Sequence, residues 1–327
     1  MQQPDWKTAQ AAAVTDPARL IEALGLDPAL LPAARAAAGR FPLRVPIGFI
    51  NRMRRGDPHD PLLRQVLPLD AELETHAGYS QDPVGESSMH IAPGLLQKYA
   101  GRVLLTTTGA CGVHCRYCFR RHFPYSEQNP RRDWNAVIAR IAADDSIHEV
   151  ILSGGDPFTL DTPRLREISS ALDAISHVRR LRIHTRQPVV LPERVDDRLL
   201  DWLGNVSSDV AIVIHANHAN EIDASVRDAM NGLKRSGATL LNQSVLLRGV
   251  NDSASALADL GEALFSAGVL PYYLHLLDPV AGAAHFDVPE GRAREIMREL
   301  HARVSGYLVP KLVREIPGGL GKTLINL

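Results

Sequence analysis

The sequence has few cysteines, no excess of either charge and no long apolar run, and each absence excludes a class of protein. Three cysteines in 327 residues are odd in number and too few for the disulfide framework of a small secreted domain. Lys and Arg number 36 and Asp and Glu 37, a net charge of −1, so bulk charge indicates neither nucleic acid nor a membrane as a partner. No apolar run approaches the ~18 residues of a membrane helix, and the first residues lack the basic-then-apolar pattern of a signal peptide. We therefore expect a cytoplasmic protein with reduced thiols.

The three cysteines lie within eight residues, at Cys111, Cys115 and Cys118, with the spacing C-x3-C-x2-C. Thiolates favour zinc or iron–sulfur clusters. A [4Fe–4S] cluster normally takes four cysteines, so three would leave one iron free to bind a small molecule. This spacing is the signature of the radical S-adenosylmethionine (SAM) enzymes, which the sequence resembles here. The resemblance implies that the free iron binds SAM and reduces it to a 5′-deoxyadenosyl radical.

These cysteines have two other possible interpretations. A zinc site of three cysteines and His114 would complete the tetrahedron that structural zinc requires. Three unconnected core cysteines would need no ligand, but their confinement to eight residues disfavours that interpretation.

The pattern of the chain changes near residue 96. Residues 1–95 predict a helical and irregular N-terminal extension, because Asp16-Pro17 and Asp27-Pro28 each combine an N-cap with proline at the first helical position. Residues 96–327 alternate strand and helix patterns, with strands expected at 103–107, 149–152, 181–184, 210–214, 239–241 and 272–276. Six such units predict an α/β fold with a parallel sheet, a partial (β/α)6 barrel. The radical SAM superfamily implies the same fold, with its cysteine loop after the first strand.

Polar residues follow three of the predicted strands. Ser153, Gly154, Gly155 and Asp156 come after the second strand, where glycine lets the backbone approach a ligand closely. The alternative is an ordinary turn between a strand and a helix. The resemblance implies that this segment binds the amino group of SAM, and that His215 and Gln243, after the fourth and fifth strands, contact its ribose. Polar residues that merely satisfy strand ends remain the alternative for both.

The C-terminal segment Pro-Gly-Gly-Leu-Gly-Lys-Thr (317–323) places Lys322 on a glycine-rich loop. A lysine can form a Schiff base with a carbonyl cofactor. The alternative is a solvated lysine near the chain terminus.

Four segments together resemble lysine 2,3-aminomutase, a family that adds pyridoxal phosphate (PLP) to the radical SAM cofactors. They are residues 116–123, 153–156, 242–247 and the Gly-Gly-x-Gly-Lys segment. The resemblance extends from residue 41 to Lys322. It is closest to the branch that makes β-lysine for modification of elongation factor P, which shares Cys-Arg-Tyr-Cys-Phe-Arg-Arg-His-Phe-Pro-Tyr and Ala-His-Phe.

The resemblance assigns cofactor roles residue by residue. Lys322 matches the lysine that binds PLP covalently. Tyr99, Arg102 and Arg116 match positions around PLP, with cationic groups suited to its phosphate. Lys98 stands where the clostridial enzyme has arginine.

The resemblance also implies a substrate site and a reaction. Arg120 matches the arginine that pairs with the substrate carboxylate, and Asp278 matches one of two acids that receive the ε-ammonium group of lysine. The second acid, aspartate in the clostridial enzyme, is Glu315 here. The reaction would be an isomerisation of α-lysine to β-lysine. The rivals are an aminomutase for another amino acid, such as glutamate, and a non-catalytic zinc or iron–sulfur protein.

The same resemblance predicts the partners. We expect a reductant or electron-donor protein, and a pathway link to elongation factor P and its lysyl ligase. A homodimer remains open.

Overall fold

The computed structural model of the chain describes residues 5–128, 133–319 and 321–327. Within them, ten strands form one sheet whose spatial order follows the chain order. The strands are β1 (His90–Ala92), β2 (Leu95–Tyr99), β3 (Arg102–Thr108), β4 (Glu149–Gly154), β5 (Arg180–Thr185), β6 (Asp209–Ile214), β7 (Thr239–Val245), β8 (Leu270–His275), β9 (Lys311–Arg314) and β10 (Thr323–Leu324). Neighbours from β3 to β9 are parallel, whereas the pairs β1–β2, β2–β3 and β9–β10 are antiparallel.

Helices connect the parallel strands. The α-helices are α1 (Trp6–Ala11), α2 (Pro17–Leu24), α3 (Leu31–Arg40), α4 (Ile47–Ile50), α5 (Pro61–Arg64), α6 (Trp134–Ala142), α7 (Thr162–Asp173), α8 (Gln187–Val190), α9 (Asp197–Gly204), α10 (Ala224–Arg235), α11 (Ala254–Ser266) and α12 (Glu290–His301). Each strand from β3 to β8 is followed by at least one of them. The six predicted β/α units and the α/β class are therefore confirmed.

Side chains alternate between the two faces of the sheet, as the two-residue period of a strand requires. In β5, Leu181 and Ile183 belong to the main hydrophobic core between sheet and helices, so Arg182 and His184 lie on the opposite, inner face. The same alternation places further polar side chains on that face: Ser153, His215, Gln243, Tyr273 and His275. The inner face therefore offers polar groups along its length.

The N-terminal helices pack in a second core with residues of the cysteine loop and of α8, among them Val113 and Val190. The predicted helix starts are confirmed: the Asp16 carboxylate accepts a hydrogen bond from the Ala18 amide at 2.9 Å, and Asp27 does the same for Ala29 at 2.8 Å. The hairpin β1–β2 straddles residues 95 and 96 and continues the sheet. Strand structure thus begins before the predicted boundary between the two regions.

The C-terminal segment forms a hairpin. Thr323 pairs with Arg314, and Leu324 with Val313. Continuing this antiparallel register by one position sets Lys322 opposite Glu315. Lys322 therefore lies at the loop end of a hairpin and not on a free C-terminal tail. No helix in the described part of the chain is long and apolar enough to cross a membrane.

Candidate active site

The three cysteines follow β3 in one loop at the carboxyl end of the parallel strands, and each is partly exposed. Burial raises the pKa of Cys118 to about 11, and the neighbouring thiol of Cys115 adds to the increase. Burial likewise raises the pKa of Cys111, with Cys118 contributing. A negative charge on one of these thiols thus opposes ionisation of its neighbours.

One cysteine contacts a buried polar network. The Arg186 guanidinium lies 2.7 Å from Cys115 Sγ through Nη1 and donates to Tyr117 Oη at 2.6 Å. The Tyr117 hydroxyl also lies 2.8 Å from His215 Nε2, and the two rings stack. Burial lowers the pKa of His215 to about 3, so this ring is neutral near pH 7.

The glycines after β4 pack against the cysteine loop. A Cβ on Gly154, whose φ is +118°, would lie 2.5 Å from Thr108 O, and one on Gly155 would lie 2.3 Å from Ala110 O. The Gly155 amide donates to Thr108 O at 2.7 Å. These two positions need glycine for contact between backbone and backbone, which fixes the cysteine loop over the strand ends.

Asp156 has a local structural function. Its carboxylate accepts hydrogen bonds from the amides of Arg186 and Gln187 at 2.7 and 2.9 Å and from Thr185 Oγ1 at 2.6 Å. It therefore anchors the turn that presents Arg186 to the cysteines.

Glu315 joins the two ends of the sheet. Its carboxylate pairs with Lys322 Nζ at 2.7 Å and also contacts Lys98 Nζ and Tyr99 Oη, both on β2. Burial alone would raise the pKa of Glu315, but Lys322 and the other two donors lower it to about 2. One carboxylate therefore bridges the opening between β2 and the β9–β10 hairpin.

The two predicted phosphate arginines differ in their surroundings. The Arg102 guanidinium stacks over the Tyr99 ring at 4.6 Å, and no hydrogen bond from it to another residue is found among the described ones. Arg116 is fully buried, pairs with both oxygens of Glu72 at 2.8 and 2.5 Å, and donates to Phe41 O. Arg102 thus has donors available for a phosphate, whereas those of Arg116 are engaged within the protein.

Arg120 forms a largely buried bidentate ion pair with Glu86, in which Nε lies 2.7 Å from Oε2 and Nη2 lies 2.5 Å from Oε1. Its remaining Nη1 donates to Ser153 Oγ at 2.9 Å. Burial opposes the charge, but Glu86 raises the pKa of Arg120 above its ordinary value. Sequence reasoning did not identify Glu86, because a carboxylate 34 residues before its partner gives no local signal.

Asp278 follows β8 near the same cluster of charges. Burial raises its pKa to about 7; Lys322 and Lys98 oppose the increase, whereas Glu315 and Glu86 add to it. The carboxyl group is thus poised to gain charge when another cation approaches.

His184 is a second residue that sequence reasoning missed. Its Nε2 atom is buried without a hydrogen-bond partner in the described structure. Burial, together with Arg182, Lys322 and Arg120, lowers its pKa well below the ordinary value. A neutral imidazole with an unsatisfied nitrogen suits a site that binds a polar ligand.

The donor set fits an iron–sulfur cluster better than a single zinc ion. Among the described residues, no three His, Cys, Asp or Glu side chains converge as ligands of one ion. His114 Nδ1 lies 2.8 Å from Pro42 O, and its ring stacks on Phe41. A zinc ion would need sulfurs within roughly 4 Å of one another, whereas a cluster carries its thiolates on separate irons. The buried Arg186 Nε, which has no partner in the described chain, adds a free donor beside Cys115.

Comparisons with known proteins agree with this site. Residues 105–260 match the model of the radical SAM superfamily. The chain is 51% identical over 325 residues to L-lysine 2,3-aminomutase of Escherichia coli (strain K12), covering 99% of this chain and 95% of that protein. The Haemophilus influenzae enzyme of the same name is 46% identical, with 99% and 96% covered. The Clostridium subterminale L-lysine 2,3-aminomutase is 37% identical over 277 residues, with 84% and 66% covered.

The parallel sheet and the three-cysteine loop therefore define a radical SAM protein, a class whose cofactors are a [4Fe–4S] cluster and SAM. Within that class, the identity over nearly full length shows a narrower group. The chain belongs to the L-lysine 2,3-aminomutase family of isomerases.

Proposed function

We propose that the protein is a PLP-dependent lysine 2,3-aminomutase that converts α-lysine to β-lysine. The main supporting observation is the group of charged residues at the loop end of the β9–β10 hairpin. Lys322 lies 2.7 Å from Glu315 there, and the charges of both residues influence the pKa of Asp278. An amine for a carbonyl cofactor and two acids for an ammonium group thus lie together. This arrangement supports the roles that the family resemblance implies.

When bound, the cluster and SAM supply the hydrogen-abstracting radical, and PLP carries the migrating nitrogen. Cys111, Cys115 and Cys118 would hold the cluster, with Ser153, Gly154, Gly155, Asp156, His215 and Gln243 at the SAM side. The Asp156 carboxylate accepts hydrogen bonds from the amides of Arg186 and Gln187. This favours an indirect role in SAM binding, in which Asp156 holds the turn before α8 in place.

The PLP side would consist of Lys322, Tyr99 and Arg102. Lys322 would bind the aldehyde, and the free donors of Arg102 suit the phosphate. Arg116 is buried and paired with Glu72, which supports a role in holding the cysteine loop in place of the predicted contact with PLP.

Substrate recognition would use opposite charges at the two ends of lysine. Arg120, beside Ser153 and the cysteine loop, would pair with the carboxylate, which requires it to exchange part of its contact with Glu86 or Ser153 for the substrate. Asp278 and Glu315 would receive the ε-ammonium group. Two acids at that end would repel the side chain of glutamate, which disfavours the rival amino acid.

We further propose that β-lysine made here serves the modification of elongation factor P through a lysyl ligase. The support is the shared Cys-Arg-Tyr-Cys-Phe-Arg-Arg-His-Phe-Pro-Tyr segment. Feeding β-lysine to a strain that lacks this protein should restore the modification, and its failure to do so would remove this link.

The direct test is product analysis after anaerobic incubation with lysine, SAM, PLP and a reductant. We expect β-lysine, and we expect none from Lys322→Ala or Cys115→Ala protein. Competing alanine and glutamate should leave the rate unchanged. If alanine or glutamate is turned over at a rate similar to that of lysine, Asp278 and Glu315 do not recognise an ammonium group. A colourless protein that contains zinc after anaerobic reconstitution would support the non-catalytic rival.

A further inference from the structure

Arg186 lies at the junction of two parts of the molecule. It follows β5 at the start of α8, and Asp156 holds its amide. Its Nη1 contacts Cys115 Sγ at 2.7 Å, while its Nη2 donates to Gln65 Oε1 at 2.7 Å and to Glu221 Oε2 at 2.9 Å. The guanidinium therefore links a cysteine sulfur to a carboxylate inside the protein.

The network that fixes this arginine is fully built. Glu221 is completely buried, and its other oxygen accepts from Asn217 N at 2.8 Å and from Gln65 Nε2 at 3.0 Å. Tyr117 Oη receives a further hydrogen bond from Asn217 Nδ2 at 2.7 Å. Burial of polar groups is costly unless they are hydrogen-bonded, and both Nη atoms of Arg186 have such partners. These bonds hold the guanidinium against the sulfur, while Nε is left without a partner in the described chain.

A purely structural ion pair would not need the sulfur contact. Arg194 shows the alternative in the same chain: it is fully buried, and its Nε and Nη2 bind the carbonyls of Phe158 and Leu160. Arg186 instead directs one donor at a thiol. A buried nitrogen without a partner in the described chain is common to both arginines, Nε in Arg186 and Nη1 in Arg194, so the sulfur contact is what distinguishes Arg186. Hydrogen bonds to cluster sulfurs and local charge are among the factors that set the potential of an iron–sulfur centre.

We propose that Arg186 is a positioning residue that raises the reduction potential of the cluster through the Cys115 sulfur, and that Glu221 limits this effect. The cluster gains one electron, from a low-potential one-electron donor, when it passes from its 2+ to its 1+ state. A cation beside a ligand sulfur stabilises the more negative, reduced state. The nearby anion of Glu221 offsets part of that stabilisation. This inference rests on the cluster assignment within the proposed function but not on the substrate or on PLP.

Opposite signs for two variants follow from this arrangement. In Arg186→Gln protein, the ratio of reduced to oxidised cluster at a fixed solution potential should fall at least tenfold, which equals 59 mV for a one-electron couple. In Glu221→Gln protein, the ratio should rise, because the arginine then acts without its counter-charge. Arg186→Lys, which keeps the charge, should lie between the first variant and the unmodified protein.

The experiment is a redox titration of the reconstituted cluster by electron paramagnetic resonance, without SAM, PLP or lysine. Arg194→Gln is the matched control: it removes a buried arginine whose hydrogen bonds go to Phe158 and Leu160 and not to a cysteine, and it should leave the potential unchanged. Equal potentials in Arg186→Gln and unmodified protein, or shifts of the same sign in both charge variants, would overturn the proposal. If Arg186→Gln loses its iron, Arg186→Lys and Glu221→Gln replace it in the comparison. The reduction potential should then fall in Arg186→Lys and rise in Glu221→Gln. Absence of a four-iron signal from unmodified protein would contradict the cluster assignment itself, which separates the two failures.

Discussion

Glu315 and Lys322 face each other at the loop end of the β9–β10 hairpin, with 2.7 Å between Glu315 Oε2 and Lys322 Nζ. The spacing of seven residues follows from the register, in which Arg314 pairs with Thr323. Because Glu315 also contacts Lys98 and Tyr99, the lysine is held against β2. A hairpin register thus positions the residue proposed to bind PLP.

Lys322 should carry the PLP label. Borohydride reduction of the PLP-loaded protein, followed by peptide mapping, should place a pyridoxyl group on Lys322, because an amine is needed to bind the aldehyde. Lys322→Ala should lose the label yet keep its iron. Lys311→Ala, at an exposed position on β9, is the control and should be labelled normally. A pyridoxyl group on Lys98 instead would refute the assignment.

Cys115→Ala should abolish cluster retention and SAM cleavage. Two thiolates remain in the loop, too few to hold a four-iron cluster at its site. Iron content and absorbance near ~400 nm after anaerobic reconstitution measure the loss, with Lys322→Ala protein as a control that keeps both. Full iron content in the Cys115 variant would contradict the ligand set.

Asp278→Asn should raise the Michaelis constant for lysine steeply, since loss of one partner of a desolvated charge pair costs about 2–5 kcal/mol. Burial raises the pKa of Asp278 to about 7, so the carboxylate forms as pH rises through that value. The Michaelis constant of the unmodified enzyme should therefore fall between about pH 6 and 8. Steady-state kinetics should show this pH dependence weakened in the variant. An unchanged profile would mean that Asp278 does not bind the ammonium group.

The same substitution should stabilise the ligand-free protein. An unfolded aspartate has a pKa near ~3.9, whereas the folded value is about 7. The folded state thus retains a proton that the unfolded state has lost, so stability contributed by this group falls as pH rises from about 4 to 7. Asp278→Asn should raise the melting temperature more at pH 8 than at pH 5, by about 2 °C or more. Asp228→Asn, exposed on α10, should show no such difference, and an equal gain at both pH values would contradict the explanation.

Glu86→Gln should destabilise the ligand-free protein by about 3–5 kcal/mol, because it leaves the buried Arg120 without its counter-charge. If Arg120 reads the substrate carboxylate, lysine should stabilise this variant more than it stabilises the unmodified protein. Thermal unfolding of the variant with lysine and with lysine methyl ester, which lacks the carboxylate, tests whether Arg120 binds that group. Equal stabilisation by the two compounds would show that Arg120 does not bind the carboxylate.

The parallel part of the fold could be predicted from sequence because each unit carries its own signal. Strands such as 149–152 and 210–214 are apolar runs followed by amphipathic helices, and the structure confirms six units. The outer hairpins were not expected. β2 reads Leu-Leu-Gln-Lys-Tyr without clear alternation, and β10 has two residues; both are defined by their partners in the sheet.

The site could be predicted only where a motif or a family resemblance marked it. The cysteine spacing predicts the cluster loop, and the resemblance predicts the roles of Lys322, Asp278 and Glu315. The Arg120–Glu86 pair and the contact of Arg186 with Cys115 depend on segments 34 and 71 residues apart. No local pattern encodes such pairings, since they arise from how the curled sheet brings its loops together.

The order of strands has a consequence for how the molecule forms. Each strand lies next to the one that precedes it in the chain, so the sheet can grow by adding neighbours, with one connecting segment to close at each step. The contact between Tyr99 and Glu315 joins residues 216 positions apart and requires the finished curl. A partly folded chain could therefore hold most of its sheet and still lack the lysine site, and uptake of PLP would report completion of folding as well as loading of the enzyme.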